Sequence, residues 1–214
     1  MLFKKRLLIF TLFFHVNAQS QNAIEPYIGI SSDQENNYKF KQANIGLQLV
    51  VLDHKVYNML FTFQGGLPVN KSTGIDKAYA LNSELPLVAD AYRETKVSSF
   101  SFGFMHRFKV ATWQHKNSVS LFVSTNFLHQ HIKTDYDYNK AEYTILNPHR
   151  NYKKNGFNLN FGVMYAYRLN NGHRLFAQGV VSTPATNKSS DDLHGYKSIA
   201  PIALHLGYAI KFKK

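Results

Sequence analysis

A period of two residues runs through almost the whole chain beyond residue 24, and it decides the secondary structure. Ile45, Leu47, Leu49 and Val51 stand against Asn44, Gly46 and Gln48. Tyr57, Met59, Phe61 and Phe63 stand against Asn58, Thr62 and Gln64, with Leu60 the exception. The pattern returns at Phe100–Phe108, Val119–Phe127, Phe157–Tyr167 and Leu204–Phe212. Successive side chains of a strand point to opposite faces, so each run predicts a strand with one oily and one polar side. Two weaker segments, at 24–31 and 173–183, bring the expected set to eight.

The joints between these strands alternate in length. Short ones fall at Asp53-His54-Lys55, at 112–117 and at Asn170-Asn171-Gly172, the last a hairpin-turn signature. Longer polar joints fall at 32–39, 70–93, 133–153 and 184–198. Pro68, Pro184 and Pro201 sit near the long-joint ends, where a missing N–H is tolerated. Short turns at one end and long loops at the other describe an up-and-down antiparallel sheet.

The N-terminus supplies an address. Lys4-Lys5-Arg6 precede the apolar run Leu7–Phe14, and Val16-Asn17-Ala18 offers a small-residue cleavage site. This is the layout of a secretory signal peptide, 1–18, leaving 19–214 as a single domain. The apolar run is too short to span a bilayer as a helix, which takes about 20 residues. The chain has no cysteine, so an exported fold must be held by packing, metal or closed backbone pairing. Its formal charge of +12 could suit nucleic acid, but export makes anionic lipid or lipopolysaccharide the expected partner.

Two architectures use such strands. A soluble, lipocalin-like barrel turns the apolar face inward, whereas a transmembrane barrel turns it toward lipid and fills its lumen with polar groups. Three features favour the second. The apolar faces match the roughly 9–11 residues a tilted strand needs to cross a bilayer. The opposite faces hold Ser, Asn, Gln and Gly rather than the Lys and Glu of a soluble sheet. Aromatics recur near strand ends, at Tyr57, Phe108, Phe157, Tyr167, Tyr208 and Phe212. Lipid leaves no backbone group to water, so the last strand must pair with the first, near Tyr27–Ile30.

The closing stretch His205-Leu-Gly207-Tyr-Ala-Ile210-Lys-Phe212 resembles the C-terminal signal of bacterial outer-membrane β-barrels. Members of that family usually end on the aromatic residue, whereas Lys213-Lys214 follow it here. The resemblance implies an all-β, eight-stranded antiparallel up-and-down transmembrane β-barrel in the bacterial outer membrane. It further implies delivery by the barrel-assembly machinery through His205, Gly207, Ile210 and Phe212.

A ring of eight strands has an interior that side chains can fill. The expected lumen set is Glu25, Gln48, Gln64, Met105, Arg107, Asn126, Asn160, Arg168, Gln178 and His205. Glu25 needs a cation, Arg107 or Arg168, because an unpaired buried charge is costly. A hydrogen-bonded plug is the plainer expectation and a narrow pore the alternative.

No catalytic, metal or cofactor site is expected. His129 and His131 lie two apart on one strand face, a spacing that suits zinc or copper, but further ligands from His149 or His194 are not visible in spacing. Ser124 shares their strand yet falls on the opposite face, which breaks a simple Ser–His pair for a lipid-modifying enzyme. The Tyr-rich loop 133–143 and the long loop 70–94, long enough for a short helix, suit protein or glycan contacts. Lys71, Lys77, Arg93, Lys140 and Arg150 could meet lipid phosphates. The expected role is therefore a monomeric structural or surface-interaction barrel, with pore, lipid-modifying enzyme and soluble ligand carrier as the alternatives.

Overall fold

A computed structural model describes residues 23–35, 38–148, 151–184 and 202–212. The expected signal peptide lies outside the described residues, as do His149, Arg150, His194 and Pro201. The described chain is all strand and turn. Its strands are β1 (Ala23–Glu35), β2 (Tyr38–Asp53), β3 (Tyr57–Pro68), β4 (Ser72–Ala80), β5 (Val88–Trp113), β6 (Asn117–Asp137), β7 (Tyr143–Thr144), β8 (Tyr152–Arg168), β9 (Arg174–Pro184) and β10 (Ile202–Lys211).

Eight of these, all but β4 and β7, close into an antiparallel ring. Neighbours run β3-β2-β1-β10-β9-β8-β6-β5, and a β3–β5 pairing joins the ends. The closure between first and last strands sets Tyr27 opposite Gly207 and Ile30 opposite Leu204. Every ring strand thus has two partners, which removes the open edges that hydrocarbon would leave unsatisfied. The tight turns lie where the polar joints are shortest. Gly172 takes a left-handed φ of 86° in one, and Gln114 and His115 take 51° and 54° in another.

The polarity is inside out. Phe102, Phe161 and Leu206 remain 45%, 46% and 56% exposed on the outer wall, while Glu25 and Gln178 inside are fully buried. A soluble barrel would bury the first group and expose the second, so the soluble-carrier alternative is overturned. A wall of Ile, Leu, Val and Phe this continuous calls for a hydrocarbon surround.

Aromatic pairs mark both ends of that wall. Toward the short turns, Tyr57 lies 5.2 Å from Phe108 and Trp113 lies 6.1 Å from Tyr165. Toward the long loops, Phe127 lies 5.4 Å from Phe102 and 5.5 Å from Phe157.

Inside, rings are laid over glycines of the adjacent strand. Tyr27 pairs with Gly46, Phe122 with Gly162, and Phe176 with Gly207. A Cβ on any of the three glycines would collide with the facing ring. The missing side chain is what lets a large aromatic lie flat within so narrow a lumen.

The long segment 70–94 is corrected by the structure. It forms no helix: β4 and the start of β5 make a hairpin, Ser72 opposite Thr95 and Tyr79 opposite Val88. β5 and β6 continue past the ring as partners up to Tyr92 and Asp137, and β7 adds to β4 at Tyr79 and Ala80. The result is a small sheet standing outside the barrel on the long-loop side. Its lumen-side face packs Ala78, Ala91 and Ile145 beneath Tyr136, Tyr138 and Tyr143.

Candidate functional site: the barrel interior and the outer sheet

The inward positions gather into two layers. Toward the turn end lies an ionic layer around Glu25 of β1. Arg107 of β5 donates Nη1 to Glu25 Oε2 at 2.7 Å and Nη2 to Oε1 at 3.0 Å. Arg174 of β9 adds Nη2 to Oε1 at 2.9 Å. Arg107 also reaches Asn58 Oδ1 at 3.4 Å, Asn58 donates to Asp53, and Lys211 Nζ reaches Asp53 Oδ2 at 3.1 Å. Side chains from β1, β2, β3, β5, β9 and β10 are thereby tied into one network. A two-pronged guanidinium–carboxylate pair is the geometry in which a buried carboxylate can stay ionised.

Amides and sulfur complete this layer. Gln48 and Gln178 donate to each other, at 3.0 and 3.4 Å, and Arg107 Nη1 lies 3.1 Å from Met164 Sδ. Leu60, the exception in its strand, is fully buried here with Met105, Phe122 and Phe176.

Toward the long loops the lumen opens into a cup of about 80 Å³. Its wall is uncharged, with Gln42, Gln64, Asn126, Gln130, Asn160 and His205 among the lining groups. Ser99 donates to Gln42 Oε1 at 2.9 Å, Tyr27 to Gln64 Oε1 at 3.0 Å, and Thr62 to Asn126 Oδ1 at 3.0 Å. Asn160 donates to Ser124 Oγ at 3.1 Å. His205 Nε2 lies 3.4 Å from Asn44 Nδ2, its ring 4.6 Å from that of Tyr27. Phe40, Val97 and Ile132 form an apolar collar above.

Most of the sequence-predicted lumen set lies in these layers. Glu25, Gln48, Arg107, Gln178 and His205 are buried, and Gln64 lines the cup half-buried. Arg168 is a correction: at the last position of β8 it reaches the mouth of the turn end and is exposed. Arg174, directly opposite it in the ladder, is the second cation on Glu25. Inward alternation singled out Arg168 and passed over Arg174 on the same rung, because alternation does not say which end-of-strand side chain points back into the barrel.

The four residues of the terminal pattern divide between the faces. His205 is buried inside and Gly207 lies under Phe176, whereas Phe212, half exposed, ends the outer wall beyond half-buried Ile210.

The Ser124–His combination does not assemble. Ser124 points into the lumen, while His129 and His131 face outward, His129 Nδ1 meeting Asn155 Oδ1 at 2.6 Å. Among the described residues no cluster of metal-ligating side chains occurs.

The outer sheet carries its own polar centre. Arg93, 5% exposed, places Nη1 2.9 and 3.0 Å from the Asp76 oxygens, and Tyr136 donates to Asp76 Oδ2 at 2.8 Å. On the other face Lys71 pairs with Glu94 and Lys77 with Asp90, both at 2.6 Å. The hydrogen bond to Asp90, with its charge, raises the Lys77 pKa above the ordinary value. Three of the loop cations expected at lipid phosphates are thus occupied by carboxylates. Between them the outward face bears Ile75, Tyr79, Val88 and Tyr92, exposed by 58, 40, 39 and 58%, and Leu87, 80% exposed, lies in the hairpin bend just before β5.

No family model matches the chain, and no curated protein matches it in sequence. Similar folds occur among solved structures. Neisserial surface protein A aligns with a TM-score of 0.52 at 9% identity, covering 89% of this chain and 97% of its own. A major outer membrane protein of Thermus thermophilus gives 0.47 at 12%, covering 88% and 99%. Ail, the attachment invasion locus protein of Yersinia pestis, gives 0.46 at 9%, covering 90% and 100%. At such identities the likeness is one of fold.

Proposed function

We propose that this chain, which has the fold of the small eight-stranded outer-membrane β-barrels, is a surface-interaction protein of the bacterial outer membrane. Its barrel is the anchor and its outer sheet the contact surface. The observation that carries this reading is the continuation of β5 and β6 beyond the ring into a sheet with exposed Ile75, Tyr79 and Tyr92, tipped by exposed Leu87 at the hairpin bend. Tyrosine and branched apolar side chains on a rigid sheet provide large contact area at low entropic cost. The same reading has a monomeric barrel, inserted by the assembly machinery through His205, Gly207, Ile210 and Phe212, with its rim in outer-leaflet lipopolysaccharide.

The test compares cells displaying the wild type with cells displaying Tyr79→Ser/Leu87→Ser/Tyr92→Ser. Attachment to protein-coated and glycan-coated surfaces, and to like cells, is measured alongside heat-modifiable gel migration. Loss of attachment with retained heat-modifiability supports the reading; equal attachment by both sinks it.

The cup favours a second reading, a narrow pore. The ionic layer and the Gln48–Gln178 pair stand across that path, which supports a closed lumen. Steady single-channel conductance of the wild type in planar bilayers would establish the pore, and silence would dismiss it.

A further inference from the structure

The outer wall is not uniform around its circumference. On β5, β6 and β8 the outward residues can be followed row by row through the strand register. One row sets Phe102 opposite Phe127 and Phe127 opposite Phe157. The next, toward the long loops, sets Phe100, His129 and Asn155 side by side, and the third sets Ser98, His131 and Lys153. In the fourth, Lys96 lies directly opposite Lys133. Rows on one face are separated by about 7 Å along the strands. Three lysines and a histidine thus crowd one patch beside the aromatic band. The stretch of wall on β9, β10 and β1 differs: its outward rim positions are Val181, Thr183, Ile202, Leu204, Ile30 and Ser32, none of them charged.

Like charges directly opposite on a sheet destabilise it, and the repulsion grows near hydrocarbon, where screening is weak. Nearby acids relieve little of it. Glu94 is taken by Lys71, and Asp135 reaches only Lys133, at 3.4 Å with both side chains more than half exposed. Lys96 and Lys153 have no ion pair among the described residues. Such a patch is stabilised when an anion lies among the ammonium groups.

We propose that the outward faces of β5, β6 and β8 form a binding site for the phosphate-bearing headgroup of a leaflet lipid. Lys96, Lys133, Lys153 and His131 hold the phosphate, and Phe100, Phe102, Phe127 and Phe157 receive the acyl chains. The site rests on the membrane-anchored reading above and moves the lipid contact from the loops to the wall. The geometry suits a lipid rather than a soluble phosphate, because the cations adjoin an apolar surface and not a pocket.

Native mass spectrometry of the full-length barrel, released from vesicles of phosphatidylcholine with diphosphoryl lipid A, tests it. The wild type is compared with Lys96→Gln/Lys133→Gln/Lys153→Gln and with Lys55→Gln/Lys116→Gln/Lys140→Gln, which removes equal charge elsewhere. The first variant is expected to lose lipid A adducts about tenfold and the second to keep them. Arginine at the three wall positions should retain them, and serves as the deciding variant should the glutamine triple not fold. Wild-type adduct levels in the wall triple, or equal loss in the control, overturn the site. So does displacement of lipid A by millimolar inorganic phosphate, which would make free phosphate the ligand. A chain that never inserts or shows heat-modifiability instead overturns the membrane reading itself.

Discussion

Glu25 and Arg107 lie 82 residues apart in the chain and meet inside the barrel through paired hydrogen bonds of 2.7 and 3.0 Å. Neither is more than 2% exposed. Arg107→Ala would leave the carboxylate with Arg174 alone and should destabilise the barrel by about 3–5 kcal/mol. Glu25→Gln/Arg107→Met should cost clearly less than the two single changes added together. Urea unfolding in lipid vesicles reads both. Additive losses would show that the pair is not coupled.

Gly162 faces the Phe122 ring across two paired strands. Gly162→Ala forces the ring or the backbone aside and should cost about 1–3 kcal/mol. The double variant Gly162→Ala/Phe122→Leu should recover the part due to the ring and not the part due to the Gly179 carbonyl oxygen, which the added Cβ also meets, measured by the same unfolding. Recovery depends on the collision being with the ring, so none is expected from Phe176→Leu.

Phe161 stands on the outer wall, 46% exposed. Phe161→Arg should lower folding stability in vesicles by about 2–4 kcal/mol, the cost of a cation at mid-bilayer depth. In a soluble barrel an exposed Phe→Arg change would be near neutral. The size of this one loss therefore separates the two surroundings.

Asp76 accepts from both Arg93 and Tyr136 in the outer sheet. Asp76→Asn weakens charge-assisted bonds worth about 1–2 kcal/mol. Protease cleavage between Leu81 and Leu87 should accelerate about tenfold while heat-modifiability of the barrel is unchanged. Loss of heat-modifiability would mean that the sheet and the barrel unfold as one unit.

The ring was legible in the sequence because lipid imposes a simple rule on it. Val163, Tyr165 and Tyr167 face outward as their alternation requires, and the closure of Tyr27 on Gly207 follows from the need to pair every edge. β4 was missed because its two faces differ in size more than in polarity. Gly74, Asp76 and Ala78 face one way while Ile75, Lys77 and Tyr79 face the other, and a search for oily alternation passes over this. Arg168 and Arg174 show a second limit. They oppose each other on the inward face, yet only Arg174 reaches Glu25, a choice made by side-chain direction at a strand end. The cation wall was hidden for a third reason, since Lys96, Lys133 and Lys153 become neighbours only once the register is known.

β5 and β6 cross from the membrane into the outer sheet without a break in their pairing, from Trp113–Asn117 to Tyr92–Asp137, save one shift at Lys109/Ala111 near the turn. The projecting part has no hinge at its base. Pulled at its tip, it must unzip rung by rung from the free end instead of swinging. A load caught by Leu87 or Tyr92 would pass directly into the embedded cylinder, so the projection behaves as a mast and not as a tether.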